Sequence, residues 1–542
     1  MNSSAAAWHL ASLDWFVIGV YLLGLLGLGV WLAHQQATGV SYFLGERRNK
    51  AWSVAISMLA TQCSTNSILG APAFIAFSLG GGLIWMQYEL ALPFAMAIVL
   101  LFLYPTLRAL KLVSIYAFLE ERFDRSTRLT LSATFQIIRA LATSVTVYGI
   151  TLLTSRITGL DFFWSVVLFG AFTLAYDYLG GIQGVIYSDV IQMGILTTML
   201  LGIAVIMLGE AGSFSNLFDA LPESRRTALD FSHHGLGDGA DFAFWPMMIG
   251  GALLYVSYYG CDQSQMQRLL AARSIKEGQK ALAINGLLRF PLVGLYCFLG
   301  VGLAYYAIYR PEFMTLLALQ NGATDYNLAL PAFMATHLPP GLLGLGFVAL
   351  FAAAMSSLDS VINSLSAASV EDFLKPLIKG GLTNVQELRA ARATTLIWGL
   401  LTLGGAFFVG DISDSILVAI NKVGSLLNGP ILGVFVLGLT TRRVSGRGAR
   451  LGFVLGLTTN VYLWVEWTEI SWLWWNLIGL VITVGVGLLD TLRAPRQAVK
   501  AIDPIPLMVK RSGAAKLSGY LCLYGFGLLL LLYLFEKHLF SL

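Results

Sequence analysis

The stretch FAAAMSSLDSVINSLSAAS, residues 351–369, decides how the rest of the chain is read. Its flanks are apolar enough for a membrane span, yet its middle carries Ser356, Ser357, Asp359, Ser360, Asn363, Ser364 and Ser366. A charged Asp359 at mid-bilayer is costly unless it is paired, hydrated or bound to a cation. Ser356 and Ser360 stand one helical turn apart, with Ser357 beside them. Hard oxygen donors with a carboxylate suit an alkali cation rather than a transition metal. The alternative is that these serines bond the carbonyls four residues back and hold helices together.

The composition supplies the setting. Of 542 residues, 57% are hydrophobic and only 12% charged, and the mean hydropathy is +0.73. No soluble globule has that balance. Apolar runs long enough to cross a bilayer recur from Trp15 to Phe535, without the alternation of barrel strands, so the expected fold is an all-α integral membrane protein. The net charge of +4 does not indicate nucleic acid, because the basic residues sit in loops beside spans. Cys63, Cys261, Cys297 and Cys522 fall inside spans and suggest neither a disulfide scaffold nor a metal site. The start, MNSSAAAWHLASLD, lacks the basic region of a signal peptide, so the first span is expected to stay. No nucleophile with a base, nucleotide loop or metal cluster appears, and His233 and His234 read as solvated loop residues; an enzyme is not expected.

About fourteen spans are predicted, centred near residues 24, 65, 94, 142, 169, 197, 253, 294, 355, 401, 428, 458, 480 and 526. Most Lys and Arg residues follow odd-numbered spans, in groups beginning at Arg47, Arg108, Arg268, Lys375, Arg442 and Arg493. The opposite loops hold Arg156, Arg225, Arg226, Arg310 and Lys537. By the positive-inside rule both termini are expected outside the cell, in a multi-pass protein of the plasma (inner) membrane. Spans two to six and seven to eleven read as two five-helix halves. The predicted organisation is an extra span in 1–45, a ten-helix transport core in 46–445 (halves 46–212 and 242–445), and three extra spans in 446–542. The second and seventh spans are interrupted by ATQCSTNS and GGALLYVSYYG, and paired broken helices are the usual pointer to a midplane binding site.

Other polar groups stand where hydrocarbon is expected. Asp189 lies near the start of the sixth span, either hydrated at the interface or a ligand. The second span is expected to unwind near Ala60–Cys63, baring carbonyls for an ion, unless its small residues only pack helices. Glu89, Arg139, Arg289 and Lys422 are also within spans. A buried guanidinium can grip a substrate carboxylate with two hydrogen bonds, or Arg139 and Arg289 can simply neutralise Glu89 or an aspartate. Lys422 is placed to snorkel and takes no role.

GGIQGVIYSDVIQ, DQSQMQRLLAARS (residues 262–274) and AAAMSSLDSVINS together resemble the sodium/solute symporter family, including bacterial sodium/galactose and sodium/sialic acid transporters; the likeness covers roughly residues 10–490. It implies a 5+5 inverted repeat. It puts the main sodium site on carbonyls of Ala60, Cys63 and Ala353 and hydroxyls of Ser356 and Ser357. A further sodium site of some members maps to Asp189, Ser356, Asp359 and Ser360, with Asp359 where a hydroxyl is common. Substrate positions map to Ser64, Ser67, Glu89, Arg139, Tyr255, Arg289 and Asn421, and an inner gate to Tyr258. Ser67 and Tyr255 replace sugar-binding amides, and Arg139 resembles the arginine with which sialic acid transporters hold a carboxylate. The expectation is therefore sodium-driven uptake of a small polar solute, an anion of sialic acid, sugar acid or monocarboxylate type, with sodium as coupling ion, no other cofactor or metal, and no nucleic-acid or obligatory protein partner. A neutral solute, a proton as coupling ion, and a transporter-like sensor are the alternatives; the basic linker and single span after Asp490 speak against a sensor, and interrupted helices against a channel.

Overall fold

The computed structural model describes residues 10–318, 324–378, 380–409, 416–492 and 513–539. Among these the chain is helical, and its extended pairings are three isolated bridges, Asn49 with Ala272, Leu236 with Ile470 and Ala318 with Thr324. In hydrocarbon each backbone polar group must be satisfied within its own segment, which leaves the helix as the form such apolar runs adopt. Nine of the described helices are long and apolar enough to cross a membrane. Each of the fourteen expected centres falls within a helix.

The principal helices are α1 (Ser12–Ala33), α2 (Ala51–Gln62), α3 (Thr65–Ala76), α4 (Trp85–Ala109), α5 (Arg125–Thr158), α6 (Phe162–Ala211), α7 (Gly251–Cys261), α8 (Gln263–Leu270), α9 (Ile275–Tyr309), α10 (Leu342–Ala368), α11 (Asn384–Gly405), α12 (Ile416–Thr440), α13 (Gly446–Glu466), α14 (Trp474–Asp490) and α15 (Ala514–Leu539). The serine-rich α10 runs through the middle: 89% of its span is buried, against 22% for α1. The outer helices turn residues such as Leu23 and Leu523 outward, where lipid replaces water. Asp14 ties α1 to the start of α10, accepting the backbone N–H groups of Gly341 at 2.6 Å and Gly344 at 2.7 Å.

Three breaks position the centre. α2 and α3 are one span divided at Cys63 (φ −85, ψ 59) and Ser64, within the stretch expected to unwind but at its C-terminal end. α6 is divided at Gly181 (φ 53, ψ −159), so its fifty residues form two arms. The first packs on α11, where Gly399 lies against Leu174 and Gly170 against Leu403. The second arm packs on α1 and α10.

The seventh span differs from expectation. GGALLYVSYYG is an unbroken helix, α7, preceded by a wide turn over Pro246–Gly250 and ended by extended Asp262 (φ −103, ψ 127). Its glycines serve close approach: a Cβ on Gly250 would stand 2.2 Å from the Leu473 carbonyl oxygen, and one on Gly251 2.8 Å from the Tyr88 ring. The interruption lies directly after α7, two residues past that stretch, where Asp262 caps α8.

Candidate ion and substrate site

At the break in the second span, the end of α2 lies against the serines of α10. The Ser356 hydroxyl donates to the carbonyl oxygens of Ala60 (3.3 Å) and Ala353 (3.1 Å), and that of Ser357 to Thr61 (3.0 Å) and Ala353 (3.2 Å). Ala60 and the predicted group Ala353, Ser356 and Ser357, with Ser356 296 residues further along the chain than Ala60, therefore share one locus of neutral oxygens. Cys63 begins the break beside it, its Sγ accepting from Arg289 Nη1 at 3.2 Å. Thr61, which sequence reasoning missed, contributes both a carbonyl here and a hydroxyl to the next cluster.

That next cluster holds Asp189, Asp359 and Ser360, joined by a side chain not assigned to it from sequence, Arg268. The fully buried guanidinium donates to Ser57 Oγ at 2.7 Å and to Ser360 Oγ, and lies 3.6 Å from Asp189 Oδ2. Ser57 Oγ in turn donates to Asp189 at 2.5 Å, and the Thr61 and Ser360 hydroxyls are 3.0 Å apart. Ser360 also donates to Asp359 Oδ1 at 3.1 Å. Among the described residues, no hydrogen-bond donor reaches Asp189 Oδ1 or Asp359 Oδ2. With both carboxylates ionised, the three charges leave one negative charge, which a monovalent cation would cancel.

A cavity of about 190 Å³ opens beside these loci. Its wall includes Ser64, Ser67, Glu89, Arg139, Tyr255, Tyr258, Arg289 and Asn421, so the predicted substrate residues converge, and Ser357 connects it to the ion locus. Both intramembrane arginines are paired. Arg289 faces Glu89 through two contacts of 3.3 Å. Arg139 donates through Nε to Asp262 Oδ2 and lies 4.7 Å from the centre of the Tyr258 ring. Tyr258 OH accepts from Gln265 at 2.8 Å, and the Tyr88 and Tyr255 rings lie 5.0 Å apart. Asn66 and Gln62 also line the cavity; Gln62 accepts from Tyr259 OH. Lys422 points instead toward the Trp475 ring, 5.8 Å away.

Asp262 is the site residue that the sequence did not single out. Its Oδ1 caps α8 through Ser264 N–H (2.8 Å) and Ser264 Oγ (2.5 Å), while Oδ2 holds Arg139. The Ser264 carbonyl accepts from Arg268. One hydrogen-bonded chain thus runs from the cavity wall through Arg139, Asp262, Ser264 and Arg268 to Ser57, Asp189 and Ser360. The cue was present: an Asp followed two residues later by Ser is the pattern of a helix N-cap.

Interrupted membrane helices around a cavity whose wall carries charged and hydroxyl side chains, with carbonyls and hydroxyls converging at the break, are the arrangement of a secondary transporter. Residues 42–456 match the sodium:solute symporter family. The chain is 29% identical over 491 residues to the sodium/sialic acid symporter NanT of Aliivibrio fischeri, covering 88% of this chain and 92% of that one. It is 29% identical over 462 residues to the human sodium-coupled monocarboxylate transporter 1, covering 83% and 73%. A solved structure of a Na+-coupled sialic acid symporter, substrate-bound and outward-open, superposes with a TM-score of 0.79 at 26% identity, over 90% of this chain and 100% of that one. The chain belongs to the sodium:solute symporter family. It is a sodium-coupled membrane symporter, not an enzyme.

Proposed function

We propose that this symporter carries a small organic anion, of sialic acid, sugar acid or monocarboxylate type, into the cell with sodium. The observation that carries this reading is the engagement of Arg139 by the Asp262 carboxylate at the cavity wall. A guanidinium that donates to one carboxylate there is shaped to donate to another, and cargo would take the place of Asp262. The NanT and monocarboxylate relatives, named for acidic cargo, support it. Ser64, Ser67, Glu89, Tyr255, Arg289 and Asn421 would contact the rest of the solute, with Tyr258, stacked on Arg139, as the inner gate.

In this reading Ala60, Cys63, Ala353, Ser356 and Ser357 hold the driving sodium, and Asp189, Ser356, Asp359 and Ser360 hold a second cation beside Arg268. Sodium at the α2 break stabilises the arrangement that admits cargo, and by reciprocity cargo tightens sodium. Each inward charge at a potential of about 100 mV contributes about 2.3 kcal/mol beyond its concentration gradient. The architecture is fourteen spans, with an inverted-repeat core in 46–445 between extra spans in 1–45 and 446–542, both termini outside the plasma membrane. Residues 1–9, 493–512 and 540–542, which this reading places at the two termini and in the basic linker after Asp490, lie outside the described residues.

A neutral polar solute is the second reading, favoured by the cancellation of Glu89 with Arg289 and of Asp262 with Arg139. Uptake into proteoliposomes separates the two: Arg139→Ala abolishes transport of an acidic cargo under the first reading and spares a neutral one under the second. Accumulation that is equal in sodium and choline buffers would defeat both.

A further inference from the structure

The break in α6 has no part in the cargo or sodium sites above, and it holds a buried carboxylate of its own. Asp177, one turn before Gly181, is fully buried, and neither of its carboxylate oxygens has a hydrogen-bond donor. Among the described residues no basic side chain forms an ion pair with it. The arginine on the facing helix, Arg392, lies with its guanidinium 5.4 Å from the centre of the Tyr178 ring instead. A carboxylate stripped of water, donors and counter-charge is too costly to stand uncompensated.

The surroundings are acceptors. The first arm of α6 ends at Gly180, so its negative pole falls beside Asp177. Two carbonyls of this last turn are held by side chains from outside the helix. Tyr42 OH donates to Asp177 O at 3.2 Å and Gln36 Nε2 to Gly180 O at 2.6 Å. Gln36 thus reaches the C-terminal end of the turn that carries Asp177. Its Oε1, also buried, has no partner. Tyr42 OH is 3.1 Å from Thr395 Oγ1. Gly181 has to be glycine for this cradle to close, since a Cβ would stand 2.8 Å from Tyr42 O, at a φ of 53°.

We propose that Asp177 anchors a further cation site at the α6 break, built from its carboxylate, the half-helix end and the Gln36 amide oxygen, and that it takes an alkali cation, sodium. The donor set is oxygen only, as hard cations require, and a broken helix presenting its carboxyl end to a buried acid repeats the logic of the sodium locus at α2. The site adjoins the turn at Gly45, whose carbonyl accepts from Gln183 at 3.2 Å, on the side of the basic loops. A cation there responds to internal sodium rather than to the sodium that drives uptake. It rests on no assumption about cargo.

The test is a sodium titration of thermal stability on the purified full chain in nanodiscs at fixed pH, choline balancing ionic strength, repeated one pH unit higher and with potassium. Ser357→Ala combined with Asp359→Asn isolates this site from both sodium loci described above. The expected result is that this double variant keeps one sodium-dependent stabilisation, and that adding Asp177→Asn raises its midpoint at least tenfold or removes it. Gln36→Leu, which keeps the carboxylate, raises that midpoint several-fold and carries the test if Asp177→Asn does not fold. The proposal is overturned if Asp177→Asn and wild type superimpose in sodium, or if the variant shifts stability equally in choline and sodium. It is also overturned if the Asp177-dependent stabilisation follows pH and ignores sodium, making the ligand a proton, or if Arg392→Ala alone removes it, making Arg392 the counter-charge.

Discussion

At the scale of single residues, the site is governed by who satisfies Arg139. Asp262 now does, and it also caps α8, so its two oxygens serve different partners. Asp262→Asn keeps a good cap but removes the competing charge. The expected outcome is a several-fold lower half-saturation for an acidic cargo; an unchanged or higher value would show that Asp262 does not compete. Arg139→Ala should abolish acidic uptake, while Arg139→Lys retains a charge without the two-pronged grip and should keep a small fraction. At the ion locus, Ser357→Ala removes a hydroxyl that reaches both Thr61 and Ala353. It should raise the sodium for half-maximal uptake by about tenfold, equivalent to ~1.4 kcal/mol. The residue types at Ser356, Ser357 and Asp359 were readable because polar groups in hydrocarbon are conspicuous. Asp262 and Arg268 were not, because both sit where the seventh span was expected to have given way to a basic loop.

At the scale of elements, the breaks matter more than the helices. The interruption after Gln62 was legible from ATQCSTNS, a run of small polar residues that compete with helical bonding. GGALLYVSYYG misled for the opposite reason: glycine weakens a helix in water, but here it lets α7 approach Leu473 and Tyr88. Which of these a glycine does depends on the neighbouring helix, and that is not local information. Gly181 is the converse case, a glycine in a long apolar run that divides α6 through a left-handed backbone. Gly181→Ala should destabilise the protein by about 1–3 kcal/mol, from strain at positive φ and contact with Tyr42, seen as a lower melting temperature in detergent. An unchanged melting temperature would mean the break tolerates a side chain.

At the scale of the whole molecule, transport requires that the two occupancies speak to each other. Ser357 borders both cavity and ion locus, and the chain from Arg139 through Asp262 and Arg268 reaches Asp189. Sodium should therefore tighten cargo binding several-fold, with cargo tightening sodium by the same factor of necessity, measured by isothermal titration on one preparation; a factor of one would show that the two sites are not coupled. The amino-acid order by itself determined that the chain is helical, membrane-embedded and built around polar breaks, because a bilayer leaves an apolar segment few ways to satisfy its backbone. It also named the α10 hydroxyls and the cavity charges Glu89, Arg139 and Arg289, whose chemistry is out of place in lipid, whereas Ser64, Ser67, Tyr255, Tyr258 and Asn421 came only from the resemblance to the family. Only the tertiary structure decided which charge meets which: Glu89 with Arg289, Asp262 with Arg139, Arg268 with Asp189, and, among the described residues, no ion pair with Asp177. Electrostatic energy in a low-dielectric interior turns on separations of an ångström or two between groups far apart in sequence, and those separations exist only once the helices have packed.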